Sequence, residues 1–225
     1  MAAGQDDSPP ARRALETLCR AYWYPIYVYV RRKGYGADEA EDLTQEFFFQ
    51  LIEKQHLRQA DRERGKFRTF LLAALDHFLA SEWRRAHRQK RGGHIPFISL
   101  DAEVPEERYR LEPADNDTPE KKFLRQWALT LLQQTMNELG RECETDGKGP
   151  LFCEVKDLLA GERDKGVYGG IAERLGLTEG AARVAVHRLR RRYGELLRRE
   201  IAQTVDGLEE VEDELRYLLA ALGPT

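Results

Sequence analysis

The amino-acid sequence predicts an all-α protein. Two small helical domains are joined by an acidic linker, the second a helix-turn-helix domain, and an extra acidic helix follows at the C-terminus. Three observations carry this expectation. Apolar residues recur at spacings of three and four, and no stretch alternates strictly enough to argue for a sheet. Charge is segregated although the formal net charge is only -3. The segment from Tyr168 to Arg192, YGGIAERLGLTEGAARVAVHRLRRR, sets a glycine and a threonine between two helical patterns.

Charge segregation defines the modules. From Arg62 to Arg91 nine basic residues face three acidic ones, and from Gly166 to Arg199 eight face three. Between these blocks, Gly92 to Glu120 carries eight acids against Arg108 and Arg110, with four prolines, two glycines and no sustained period. Such a stretch reads as a linker rather than a core. The expected domains are therefore 1–91, an acidic linker 92–117, 118–200, and a helical extension 201–225.

In the first domain, GADEAEDLTQEFFFQLIEK opens with acids in its first turn, which favours a helix. Ala40, Leu43, Phe47 and Leu51 share a stripe that should face the core. The opposite stripe holds Asp38, Asp42, Gln45, Glu46, Phe49 and Glu53, an aromatic ring set among carboxylates like an anchor in a polar rim. The following helix, KFRTFLLAALDHFLASEWRRAHRQKR, is apolar nearly all round in its first half and so should be central. Its end is strongly basic: Trp83 is followed by Arg84, Arg85, Arg88, Lys90 and Arg91, and the preceding loop and helix start add Arg62, Arg64, Lys66 and Arg68. Cations beside rings suit single-stranded nucleic acid, where charges follow phosphates and rings stack on bases.

Thr118-Pro119-Glu120 should start the second domain, with a hydroxyl at the cap, proline at the first helical position and an acid in the first turn. The helix it opens carries Phe123, Trp127, Leu131 and Leu132 and should run to about Leu139. Tyr168 to Leu175 reads as a short helix, Gly176 as its break and Thr178 as the cap of the next. In that second helix Ala182, Val186, Leu189 and Tyr193 line up toward the core. Gly180, Arg183, Val184, His187, Arg190 and Arg191 lie opposite, a surface suited to a major groove, with Arg188, Arg192, Arg198 and Arg199 better placed for phosphates or water. In the tail VDGLEEVEDELRYLLAALG, the stripe Leu208, Val211, Leu215, Leu218 and Leu219 lies under six acids, and a helix packed on the second domain is expected. A competing expectation is that this acidic helix covers the basic recognition surface.

Other classes are disfavoured. Cys19, Cys143 and Cys153 are odd in number and lack ligand spacing, so neither a disulfide framework nor a metal site is expected, and mostly buried free thiols are. No cofactor motif occurs; the GKG at Gly147 lacks P-loop spacing. Asp76-His77 is expected to be a satisfied core pair, and no nucleophile or metal constellation accompanies it, which argues against an enzyme. No apolar run is long enough to span a bilayer and the N-terminus lacks a secretory pattern, so a cytoplasmic protein without membrane insertion is expected.

The pair DEAEDLTQEFF and YGGIAERLGLTEGAARVAVHRLRRR, separated by a basic helix and an acidic linker, resembles the bacterial sigma-70 family, and the two-domain length resembles its extracytoplasmic-function (ECF) group. The resemblance spans roughly Leu15 to Arg199. It implies a non-enzymatic sigma factor, monomeric when free, that binds the β and β' subunits of core RNA polymerase and promoter DNA. An anti-sigma protein or other regulator is a further implied partner. By the resemblance, Asp38, Asp42, Gln45, Glu46 and Phe49 would meet the β' clamp helices. Arg62, Arg64, Lys66, Arg68, Trp83, Arg84, Arg85 and Arg88 would hold melted minus-10 DNA. Thr178, Glu179, Gly180, Arg183, Val184, His187, Arg188, Arg190 and Arg191 would read the minus-35 element. The acidic linker would thread the polymerase. Ala181, Ala182 and Arg183 stand where many relatives have a β-branched residue and a lysine, so no promoter sequence carries over. A stand-alone helix-turn-helix regulator is the alternative, but it would have no need of the Asp38 to Glu53 face.

Overall fold

The computed structural model describes residues 9–53, 67–88, 105–112, 117–159, 167–205 and 207–223, with side chains at 9–18, 52–53, 86–88 and 208 outside the description. Every regular element among the described residues is helical: α1 (Pro9–Arg32), α2 (Ala37–Glu53), α3 (Phe67–Arg88), α4 (Pro105–Arg110), α5 (Pro119–Thr145), α6 (Gly149–Leu159), α7 (Val167–Leu175), α8 (Glu179–Ala202) and α9 (Val211–Leu222), the last after a single 3-10 turn, Leu208–Glu210. No described helix is long and apolar enough to cross a membrane. Contacts divide the chain into two units, one of Met1–Ala128, Thr204–Asp206 and Arg216–Thr225, the other of Leu129–Gln203 and Gly207–Leu215.

In the first unit, α1 is the centre. The run from Ala21 to Val30 is buried throughout, which a helix achieves only when neighbours cover all its sides. α2 covers it with Ala40, Phe47, Phe48 and Leu51, and α3 contributes Leu71, Leu75, Phe78 and Leu79 to the core. Thr44 is also fully buried on α2, because its hydroxyl donates to the Ala40 carbonyl at 2.7 Å and leaves no unpaired polar atom. Asp76 and His77 are exposed rather than in the core. The apolar positions on either side of them turn inward, leaving Asp76 to accept from the Tyr29 hydroxyl at 3.0 Å and to pair with Lys33 at 3.2 Å.

Part of the acidic strap is built into this unit. Pro105 is buried, and Glu106 accepts from the Tyr27 hydroxyl at 2.6 Å and from Arg31 through Nε at 3.0 Å and Nη2 at 3.1 Å. Glu112 accepts from the Tyr24 hydroxyl at 2.7 Å, and Arg108 lies over the Tyr24 ring at 3.7 Å. A helix of six residues is too short to persist by itself; these contacts with α1 hold it. Residues 92–104 and 113–116 of the expected linker lie outside the described residues.

α5 starts where expected: the Thr118 hydroxyl accepts from the Lys121 amide at 3.3 Å. Its first turns belong to the first unit, with Phe123 and Trp127 buried against Tyr22, whose ring stacks on Trp127 at 5.5 Å. The helix continues past Leu139 to Thr145. Gly140 lies within it, where the bare backbone admits the Phe152 ring: a Cβ at Gly140 would lie 2.9 Å from it. A turn with Gly147 at φ +72° and the Lys148 amide on the Cys143 carbonyl at 2.7 Å leads into α6, so most of Glu142 to Pro150 is ordered as helix ends.

The second unit closes around Leu139, Cys143, Val155, Leu159, Ile171, Ala172, Ala182, Val186, Leu189, Tyr193 and Leu196. Cutting Ile171, fully buried at its centre, to alanine would cost about 2 to 5 kcal/mol. Cys19 and Cys143 are buried and Cys153 is exposed, and none of the three is in a disulfide.

Candidate nucleic-acid interface

Three surfaces hold the residues singled out in the sequence. On α2, Asp38 and Asp42 are exposed, Gln45 and Glu46 half-buried, and Phe49 is 43% exposed. Burial of Ala40, Phe47 and Leu51 turns this stripe outward, because positions three and four apart share a face. Glu46 is not a free surface acid: one carboxylate oxygen accepts from Gln50 Nε2 at 2.7 Å, and the other is buried without a hydrogen-bond partner among the described residues.

At the end of α3, Trp83 is 57% exposed and Arg84 and Arg85 are exposed with it. Arg84 donates back to the Ala80 carbonyl at 3.0 Å, and Arg85 pairs with Glu82 at 2.8 Å. Arg62, Arg64 and Lys66, together with the Arg88 side chain, lie outside the described residues. Arg68 is in another setting: it is buried at 8% exposure, with its guanidinium over the Tyr217 ring at 4.4 Å and the Trp127 ring at 5.9 Å. Burial lowers its pKa, while the charge field and hydrogen bond of Tyr217 and the field of Tyr22 oppose that shift.

The third surface is built by α7, a tight turn and α8. The Leu177 amide donates to the Ala172 carbonyl at 2.8 Å and Gly176 adopts φ +64°, a left-handed conformation that glycine takes without steric cost. Thr178 then caps α8, its hydroxyl accepting from the Ala181 amide at 3.2 Å. Ala182, Val186, Leu189 and Tyr193 are buried, the stripe that the spacing predicts. Exposed opposite them are Glu179, Gly180, Arg183, Val184, His187, Arg188 and Arg191. Arg183 is held on two sides, paired with Glu179 at 2.5 Å and lying over the Tyr168 ring at 5.4 Å.

The other arginines of α8 have structural partners that spacing does not reveal. Arg190 donates through Nε at 3.2 Å and Nη2 at 2.6 Å to the Leu158 carbonyl in the last turn of α6. Arg192 makes a two-pronged bond to Glu142, at 2.8 and 2.6 Å, which holds that carboxyl below its usual range and raises the guanidinium. Arg198 pairs with Glu212 at 2.5 Å, and Arg199 with Glu138. Arg191 pairs within its own helix, with Glu195 at 3.0 Å. The arginines of α8 thus divide into Arg190, Arg192, Arg198 and Arg199, which are tied to other helices, and the exposed Arg183, Arg188 and Arg191, for which no bond to another helix is seen among the described residues. Among the described residues, no group of acids, histidines and cysteines is arranged to hold a metal ion.

Comparison with protein families identifies the α1 to α3 module. Residues 18–89 match the Sigma-70 region 2 family. Region 2 is the part of sigma-70 factors involved in RNA polymerase binding and promoter melting, and the match covers about a third of the chain. It spans both the acidic α2 face and the basic end of α3. No curated protein and no solved structure matches the chain.

Proposed function

We propose that the chain is a promoter-recognition subunit of bacterial RNA polymerase, of the ECF group, acting in the cytoplasm without catalysis of its own. The observation that carries this reading is the region 2 match over helices whose exposed stripe is acidic and aromatic at one place and basic and aromatic at another. Asp38, Asp42, Gln45, Glu46 and Phe49 dock on the β' clamp helices. Phe49 supplies apolar area that docking would bury, and the exposed carboxylates supply charge steering.

At promoters, the α7-turn-α8 segment acts as a helix-turn-helix. Arg183 and His187 offer hydrogen bonds to base edges of the minus-35 element, Val184 packs on a thymine methyl, and Arg188 and Arg191 neutralise phosphates. Glu179 and Tyr168 hold Arg183 in place before DNA arrives, which reduces the side-chain entropy lost on binding. Trp83, Arg84, Arg85 and Arg88 meet melted minus-10 DNA together with Arg62, Arg64 and Lys66, stacking and charge offsetting the few kcal/mol that unstacking a base costs.

The test is complex formation between the purified chain and bacterial core RNA polymerase, with and without the double substitution Asp42→Arg, Glu46→Arg. Tight binding that the double variant loses supports the sigma reading. A chain that binds duplex DNA but not core polymerase refutes it and leaves a stand-alone regulator.

A further inference from the structure

Arginine is rarely buried without a specific partner, and the ring partners of Arg68 come from far along the chain. Trp127 on α5 and Tyr217 on α9 both lie outside the region 2 match, yet the Arg68 guanidinium lies 5.9 Å from the first ring and 4.4 Å from the second. Trp127 is buried at 1% exposure and fixed by its stack on Tyr22. Tyr217 is 45% exposed: one face rests on Arg68 and much of the ring is open to water. Leu218, the next residue on α9, is the one that is buried. Tyr217 is therefore a cover for Arg68 rather than a member of the core.

A guanidinium over an aromatic face is also the contact an arginine makes with an unstacked nucleobase. We propose that Tyr217 stands in for a base on Arg68, so that the C-terminal helix keeps the free protein weak for single-stranded DNA until it is displaced. The cover lies on the first turn of α3, whose other end carries Trp83, Arg84 and Arg85. The inference rests on the sigma reading for its biological setting, but its physics requires only Arg68, Tyr217 and a single strand.

The experiment is a fluorescence titration of a labelled oligothymidylate with the full-length chain, without polymerase. Tyr217→Ala is expected to bind about tenfold more tightly than the wild type, as loss of a cation-π cover implies. Tyr217→Phe, which keeps the ring and loses only the hydroxyl bonded to Arg68, should fall between wild type and Tyr217→Ala. Adding Arg68→Gln to Tyr217→Ala should remove the gain, and thermal melting of each variant verifies that it is folded. Unchanged or weaker binding by folded Tyr217→Ala overturns the proposal, as does a gain that survives loss of Arg68. Core polymerase binding by the same variants reports separately: a chain that ignores polymerase yet gains oligonucleotide affinity refutes the sigma reading and keeps the cover.

Discussion

Replacing Arg190 and Arg183 by alanine, one at a time, separates the two kinds of arginine on α8. The last carbonyls of a helix have no partner within it, and Arg190 supplies one to Leu158 through two nitrogens, joining α8 to the end of α6. A hydrogen bond from a charged donor contributes about 1.5 to 3 kcal/mol. Arg190 is only partly buried, and water can replace it at the carbonyl, so the lower end applies, about 1.5 kcal/mol. Arg183 bonds only within its own exposed turn and to the edge of α7, so Arg183→Ala should cost less than about 0.5 kcal/mol. With a urea slope of about 1 to 3 kcal/mol per molar, Arg190→Ala should lower the unfolding midpoint by roughly 0.5 to 1.5 M while Arg183→Ala barely moves it. Duplex-DNA affinity should respond in the opposite order. Arg183→Ala should lose about 1 to 3 kcal/mol of duplex-DNA binding, a factor of about 5 to 150, and Arg190→Ala should stay within about threefold. An unmoved urea midpoint for Arg190→Ala, or equal losses of DNA affinity for both variants, would refute this division.

Gly180→Ala should leave the fold intact and stabilise it by up to about 1 kcal/mol through helix propensity, since a Cβ there meets nothing within 4 Å; if DNA passes close to the start of α8, duplex affinity falls even as the melting temperature rises. Tyr22→Phe should be neutral or stabilising by roughly 1 kcal/mol in denaturant titrations, because the Tyr22 hydroxyl is buried without a hydrogen-bond partner among the described residues. Acid should weaken the protein: Arg31 holds Glu106 and Arg192 holds Glu142 below the usual carboxylate range. Depressed folded-state values mean that this stability is present above the unfolded value, about pH 4.3, and is lost as pH falls below it. Urea midpoints measured from neutral pH down to about pH 3 should show the decline, and it should be shallower in Glu106→Gln and Glu142→Gln.

What could be read from the residues alone was whatever depends on near neighbours in the chain. The buried stripe Ala182, Val186, Leu189 and Tyr193 follows from helical spacing, and the caps at Thr118 and Thr178 and the turn at Gly176 follow from local backbone chemistry. The outward stripe of α2 follows in the same way from Ala40, Phe47 and Leu51. Long-range partnerships were not legible. Spacing treats Arg183 and Arg190 alike, as members of one exposed face, and only the position of α6 gives Arg190 the Leu158 carbonyl. Similarly, Glu106 and Glu112 look like part of a solvated acidic strap until the tyrosines of α1 arrive to donate to them. Arg68 looks like a surface cation until Trp127 and Tyr217, 59 and 149 residues further on, close over it. The physical reason is common to all three. A side chain's periodicity determines which way it points, whereas the energy of a charge depends on what stands within a few ångströms of it, and that is decided by helices distant in sequence.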